Sequence, residues 1–278
     1  MRKVVFIIIS IVISLSFCGC NYNFGSHFDF GATRGKSTQT GESSVSGTGI
    51  SEIEVDVGVG AVNISKSSGS NIEIEYKKEV KGSSEDIEEI SDSISVDTEC
   101  IGDKITVRVD AKDDDVDDFW QWLSNKYESI NVTVDLDIKV PNNIKIFTVK
   151  SGVGDITIEE LKGKLSAISG VGRIKINNFT LMGECEIASG TGEIVIDCDI
   201  TEAESLNAKS GVGSIDVRIH KDSQFSLDAT TGVGSIKGNI IEPNKDAFVG
   251  DTLVQDINGG GMKIKLTTGT GNITVDKK

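Results

Sequence analysis

The sequence contains few of the residues on which catalytic sites and metal sites usually depend. Of its 278 residues, two are histidine, two are proline and 5% are aromatic. Neither histidine, His27 or His220, belongs to a zinc motif, and we find no phosphate-binding loop and no nucleophile elbow. The scarcity of proline argues against a disordered or collagen-like chain. We therefore expect a folded, non-enzymatic protein that uses no cofactor and no metal ion.

Positive charge is also scarce. The chain has 43 acidic and 28 basic residues, which gives a formal net charge of −15. Such a surface repels nucleic acid and anionic lipid, because both carry the same sign of charge. Nucleic acid is therefore excluded as a partner, and attachment to a membrane would need a hydrophobic device.

Long hydrophobic runs are absent except at the start of the chain. Val4 to Phe17 is almost entirely apolar and follows Arg2 and Lys3, but it is too short to span a bilayer comfortably. The small residue Gly19 and then Cys20 follow, an arrangement that resembles the lipobox of bacterial lipoproteins. We predict that 1–19 is a signal peptide and that Cys20 is lipidated, which would hold the protein on the membrane, facing outside the cytoplasm.

The composition changes after Cys20 and again near residue 50. Residues 20–49 are rich in serine, threonine and glycine and show no sustained hydrophobic period. This composition predicts a flexible tether. We assign 50–278 to one folded domain.

The domain repeats a short motif. The copies are SGVGDITI from Ser151, SGVGRIKI from Ser169, SGTGEIVI from Ser189, SGVGSIDV from Ser210, TGVGSIKG from Thr231 and TGTGNITV from Thr268. Five of these copies begin 18 to 21 residues apart, and the sixth follows after 37. An early copy, VGVGAVNI from Val57, stands apart, and we expect the Thr268 copy to close the series.

Each copy places apolar residues at fixed offsets around a Gly-X-Gly corner. The residues four and two before the serine, and five and seven after it, are apolar in nearly every copy. A period of two puts them on one face of a strand on each side of the corner. Because one such unit cannot bury its apolar face alone, we predict an all-β fold of stacked repeats, a β-solenoid or β-prism with coils of about 20 residues.

The stretch 136–176, LDIKVPNNIKIFTVKSGVGDITIEELKGKLSAISGVGRIKI, resembles the bacterial β-strand-repeat adhesin-like domain, a domain of unknown function. The resemblance extends over roughly 50–278. It implies a cell-envelope location and a stacked β fold, and it favours a Gram-positive surface. It provides no catalytic residues.

An insertion between two strands interrupts the β pattern. In 113–129, apolar residues recur four apart, as Phe119 and Leu123 do, which predicts a short helix. Phe119, Trp120, Trp122 and Tyr127 concentrate aromatic surface here and are our candidate ligand-binding residues. The alternative is that these rings cap an open end of the stack. The acidic run from Asp113 to Asp118 lacks an EF-hand spacing, so we expect a solvated loop rather than a calcium site.

Three further features have structural interpretations. Cys185 and Cys198 fall on inward positions and are expected to be buried thiols that do not stack on each other. The residues after the second glycine begin as acid, base, acid, which predicts a surface charge ladder. Ile87 and Ile90 indicate a second helical turn within 84–91.

These observations favour a non-enzymatic surface lipoprotein that acts as an envelope or adhesion interaction module. Its expected partners are the membrane, through the lipid, and an envelope protein or glycan. The first alternative is an envelope-stress sensor that acts with membrane proteins. The second is an enzyme acting on cell-wall polysaccharide, which would need carboxylates such as Asp197, Asp199, Asp216 and Asp228 to converge on one face.

Replacing Cys20 by alanine tests the anchor. The variant has no thiol for lipidation, so it is expected to move from the membrane fraction to the soluble fraction. Fractionation with immunodetection measures this, with Cys18→Ala as the matched control that stays in the membrane. A Cys20→Ala protein that remains fully membrane-bound would contradict the lipobox assignment.

Overall fold

The fold is seen in a computed structural model, which describes residues 35–82, 87–111, 120, 123, 130–242 and 250–278. The chain there forms one continuous curled sheet, with a short helix near its N-terminal end. The elements are β1 (Gly35–Ser46), β2 (Glu52–Val59), β3 (Val62–Lys66), β4 (Asn71–Gly82), α1 (Ile87–Asp92), β5 (Ile94–Ile101), β6 (Lys104–Ala111), β7 (Asn131–Val140), β8 (Ile146–Val153), β9 (Ile156–Glu159), β10 (Lys162–Val171), β11 (Ile174–Thr191), β12 (Ile194–Val212), β13 (Ile215–Ile219), β14 (Phe225–Val233), β15 (Ile236–Lys237), β16 (Asp251–Ile257), β17 (Met262–Thr270) and β18 (Ile273–Lys277).

The strands stack into two ladders that enclose one core. Ladder A has the order β5, β6, β2, β8, β10, β11, β12, β17, β14, β16. Ladder B has the order β1, β4, β7, β3, β9, β11, β12, β13, β18, β15. The inner pairs are parallel. Both ends of ladder A and the β1 end of ladder B are antiparallel, whereas ladder B ends at β15 in a parallel pair. Each Gly-X-Gly corner carries the chain from ladder A to ladder B, so the predicted all-β stacked-repeat fold is confirmed.

The inward positions predicted from the repeat form the core. Alternate residues of each ladder belong to a single buried cluster. In the coil that begins at Ser151, for example, Phe147, Val149, Ile156 and Ile158 are each at most 1% exposed. The copy of Thr231 departs from this pattern with Gly238 at the position seven after the threonine. Crowding explains this glycine, because a β-carbon there would lie 1.9 Å from the carbonyl oxygen of Val275.

The stacking order differs from the order in sequence at both ends. The Val57 copy does not stand apart, since β2 and β3 pair directly with β8 and β9. The Thr268 copy does not close the stack either. Its strands, β17 and β18, lie between the coil of Ser210 and the coil of Thr231. The long interval before it contains β16, which pairs antiparallel with β14 and ends ladder A.

The N-terminal end of the stack corrects the predicted tether. Residues 35–46, assigned to the tether, form β1, which pairs along its whole length with β4. This strand could not be recognised from alternation, because it is an edge strand of mostly polar residues. Lys36 forms an ion pair with Glu79 across the β1–β4 pair, and Lys81 forms one with Glu79 along β4. These contacts hold the pKa of Glu79 down to about 2. The folded domain therefore begins by Gly35.

The two predicted helical segments have different outcomes. Helix α1 confirms the turn predicted near Ile87 and Ile90, and both side chains are buried against β1 and β4. Its last turn is held by Lys78, whose buried ammonium group donates to the carbonyl oxygens of Ser91 and Ile94. In the 113–129 insertion, only Trp120 and Leu123 are described, and both are helical.

Close contact between coils occurs at the Gly-X-Gly corners. The first glycines form one column and the second glycines form another. A β-carbon at Gly190 would lie 2.5 Å from the carbonyl oxygen of Gly170, and one at Gly192 would lie 1.9 Å from that of Gly172. Real β-carbons do not approach backbone so closely, so these positions accept only glycine. The second glycines also have positive φ, near 150°.

A buried hydroxyl group links each of these corners to the corner of the neighbouring coil by a hydrogen bond. Ser189 donates to the carbonyl oxygen of Gly172 at 3.0 Å, and the serine or threonine that opens each other copy makes the same bond. The full set is Ser151, Ser169, Ser189, Ser210, Thr268 and Thr231, with distances of 2.7–3.2 Å. Val57 replaces the hydroxyl in the first copy, where the neighbouring coil, β6–β7, has no glycine corner to receive the bond.

Replacing Gly190 by alanine tests this packing. The added methyl group would collide with the backbone of the neighbouring coil, so we expect the free energy of unfolding to fall by about 2–3 kcal/mol. Gly183→Ala is the matched control: its φ is +59° but no atom lies within 4 Å of the added carbon, so the cost is about 1 kcal/mol of backbone strain. Urea unfolding measures both. Equal losses would show that the corners are not in tight contact.

Candidate functional site: the outer faces of the coils

The corner exposes an apolar ridge. The residue between the two glycines points outward, and Val153, Val171, Val212 and Val233 are each about half exposed. Thr191 and Thr270 occupy the same row between them. Because neighbouring coils are about 4.8 Å apart, the row is a continuous stripe of β-branched side chains. This stripe was not predicted from the sequence, although it is formed by the X positions of the repeat motif.

The charge ladder predicted after the second glycine is present. Arg173 Nε lies 3.0 Å from Glu193 Oε2, and the Arg173 backbone amide donates to Asp155 Oδ1 at 2.7 Å. On ladder A, Lys104 forms ion pairs with Glu52 and Glu54, and its hydrogen bond is the main cause of the lowered pKa of Glu54. These side chains are partly or largely exposed, so each pair contributes at most about 1 kcal/mol to stability.

The aromatic candidates are only partly described. Trp120 is half-buried and packs against the core. Its indole also covers Gly58, since a β-carbon there would lie 1.9 Å from Trp120 Nε1. Trp120 thus covers the end of the first glycine column, which favours the capping interpretation for this ring. Phe119, Trp122, Tyr127, Asp113–Asp118 and Cys20 lie outside the described residues, and their proposed roles stay predictions.

The carboxylates considered for polysaccharide cleavage do not converge. Asp197 and Asp216 lie on the outer side of ladder B, and Lys278 pairs with Asp197 at 2.9 Å. Asp228 lies on ladder A, and Asp199 receives a hydrogen bond from the Thr201 backbone amide in the turn that follows. Acid–base cleavage of a glycosidic bond needs two carboxyl groups facing one another across the substrate. Asp197 and Asp216 share one outer face, but Asp228 lies on the other ladder, so the four carboxyl groups do not gather on one face.

The cysteines are isolated from each other in the ladder. Cys185 stacks beside Leu206 and Cys198 beside Phe179, and both are free thiols. Burial raises the pKa of Cys198 to about 12 and also raises that of Cys185. Neither thiol is therefore ionised near neutral pH, which suits a packing role.

A basic cleft lies at the second corner of the coils, where ladder B turns back to ladder A. Its volume is about 520 Å³ and its rim includes Lys66, Lys145 and Lys162. Sequence analysis did not find it, because these lysines are far apart in the chain and belong to no motif.

The comparisons with known proteins agree with this architecture. The Toastrack DUF4097 model matches residues 123–276, more than half of the sequence. The chain belongs to the Toastrack DUF4097 family. Family membership confirms the resemblance to an adhesin-like domain of unknown function and the β-solenoid-like fold. None of the curated proteins matches this Toastrack chain.

The search of solved structures matched proteins from three bacteria. A candidate cell adhesion protein from Clostridium sporogenes is 15% identical, with a TM-score of 0.46 over 88% of this chain and 100% of its own. A candidate adhesin from Bacteroides fragilis is 17% identical, with a TM-score of 0.39 over 89% and 99%. One from Parabacteroides distasonis is 10% identical, with a TM-score of 0.30 over 89% and 98%. Among the described residues of this Toastrack protein, no helix has the length and apolar character needed to cross a membrane.

Proposed function

We propose that this Toastrack protein is a non-enzymatic lipoprotein that binds an envelope component through the outer surface of its stacked coils. The observation that carries the proposal is that different residues of each repeat have different roles. The apolar residues, the two glycines and the hydroxyl hold the coils together, while the outward residues change from coil to coil. Ladders of this kind provide long, rigid, exposed surfaces, which suit recognition of an extended partner.

The attachment of the domain supports an envelope location. The thiol of Cys20 is the attachment point for the lipid, and residues 20–34 would separate the first strand from the membrane. The net charge of −15 would keep the coils off an anionic lipid surface and leave their faces available. A Gram-positive surface is the location that the family resemblance favours.

Two surfaces compete for the binding role. The first is the insertion, because its sequence concentrates the aromatic residues Phe119, Trp122 and Tyr127 around the half-buried Trp120. The second is the valine ridge, defined by Val153, Val171, Val212 and Val233, because four of the eight exposed large hydrophobic residues among the described ones lie in this single row.

The test is capture of fractionated envelope by the purified full chain. Peptidoglycan, anionic wall polymers and detergent-solubilised membrane proteins are each presented to the protein. Trp120→Ala/Trp122→Ala and Val171→Ser/Val212→Ser are compared with the unmodified chain, and the melting temperature confirms that each variant is folded. We expect saturable capture by at least one fraction and a loss of at least about tenfold, 1.4 kcal/mol, in one of the two variants.

The pattern of loss locates the site. Loss in the tryptophan variant alone assigns binding to the insertion, and loss in the valine variant alone assigns it to the ridge. Absence of capture from every fraction, or release of soluble fragments from a polymer, would contradict a non-enzymatic envelope-binding function. The chain should not be shortened to residue 50 for this work, because that cut removes β1.

A further inference from the structure

The basic cleft lies between two sets of turns at the second corner of the coils. On one side, the connection from β7 to β8 contributes Asn142 and Lys145, and Lys66 at the end of β3 lies beside it. On the other side are the corners of two neighbouring coils, which turn through Glu160 and Asn178 and are in register with each other, since Lys162 pairs with Thr180. Glu160 and Asn178 both have positive φ, at 57° and 50°, as such a tight corner requires.

The cleft is positive on a strongly negative protein. Three lysines and one glutamate line it, a formal charge of +2 from three minus one, whereas the chain as a whole carries −15. Lys162 is paired with Glu202 at 2.5 Å, and Lys145 donates to the Asn142 carbonyl oxygen at 2.6 Å. Lys66 is exposed, and its ammonium group has no hydrogen bond or ion pair with any described residue.

The remaining lining defines the type of ligand that fits. Ile144 and Leu161 are buried and form an apolar floor. Asn142, Asn178 and Thr180 add amide and hydroxyl groups that hydrogen-bond to neutral hydroxyls. Ammonium groups around such a floor suit an anion attached to a short hydroxylated carbon chain.

We propose that this cleft binds a phosphate ester of a polyol, carried on a soluble or wall-bound chain. The phosphate group forms ion pairs with Lys66 and Lys145, and the carbons and hydroxyls of the polyol lie over the apolar floor. An anionic membrane is a poorer partner, because the rest of the acidic surface would be repelled by it. The proposal rests on the proposed envelope-binding function, for which it supplies one ligand class and one site.

The experiment measures binding of glycerol phosphate to the full chain by calorimetry, with inorganic phosphate and glycerol as reference probes. We expect saturable binding of glycerol phosphate that is tighter than that of inorganic phosphate, with none for glycerol. Raising the salt concentration should weaken it. Lys66→Gln/Lys145→Gln is expected to weaken binding by about tenfold, and Glu160→Gln to strengthen it by about threefold, because it removes the one acidic side chain of the lining.

The matched control is Lys209→Gln/Lys265→Gln. Both lysines are exposed on the outer side of ladder A, so the variant has the same net charge without touching the cleft, and it should bind as the unmodified chain does. If both double variants weaken binding equally, then binding depends only on the net charge of the protein, and the cleft is not the binding site. Binding of anionic vesicles without binding of soluble glycerol phosphate would also overturn it. Envelope capture that is unaffected by Lys66→Gln/Lys145→Gln would leave the proposed function standing and remove the cleft from it.

Discussion

The close approach of neighbouring coils at the Gly-X-Gly corners is the constraint on which the structure depends. Parallel strands in a ladder are about 4.8 Å apart, and at the corners the backbone must turn without leaving that spacing. A side chain at Gly170 or Gly190 would meet the carbonyl oxygen of the coil beside it. The corner is therefore glycine in each coil that carries the repeat motif, and its carbonyl groups become acceptors for the buried hydroxyls. One contact thus sets the spacing, the direction and the register of the stack.

The same constraint determines how the stack ends. Each inner coil presents the same glycine corner to both of its neighbours. The stack can therefore continue until a strand without this corner pairs with the last coil. At one end, β7 follows an insertion rather than a glycine corner, and the Trp120 indole lies over Gly58. At the other end β16 pairs in the opposite direction. Ladder A therefore ends there in an antiparallel pair, whereas ladder B ends in the short parallel strand β15.

The repeat made the core predictable but not the order of the coils. Positions such as Phe147 and Ile156 could be assigned because a period of two and a recurring motif give the same answer. The copy of Thr268 was misplaced because all copies carry equivalent edges, so the local sequence does not state which neighbour each will have. Strand β1 was missed because an edge strand with polar residues such as Lys36 has no alternation to detect.

The candidate sites also include one feature that could be predicted from the sequence and one that could not. The charge ladder of Asp155, Arg173 and Glu193 could be predicted, since it needs only the register of the repeat. The cleft of Lys66, Lys145 and Lys162 could not, because its lysines come from separate turns that are far apart in the chain. Function in this Toastrack protein is thus expected where the coils differ from one another, whereas the shared motif provides the frame.

The order of the coils is tested most directly by disulfide trapping along the valine ridge. In a chain with Cys18, Cys20 and Cys100 replaced by serine, Val212→Cys/Thr270→Cys joins direct neighbours in the ladder, within the 4.4–6.8 Å between α-carbons that a disulfide requires. Val212→Cys/Val233→Cys joins residues separated by the coil of Thr270, at about 9.6 Å. The structure predicts a rapid cross-link in the first pair and none in the second. A cross-link in the second pair, without one in the first, would show that the coils stack in sequence order and would contradict this account.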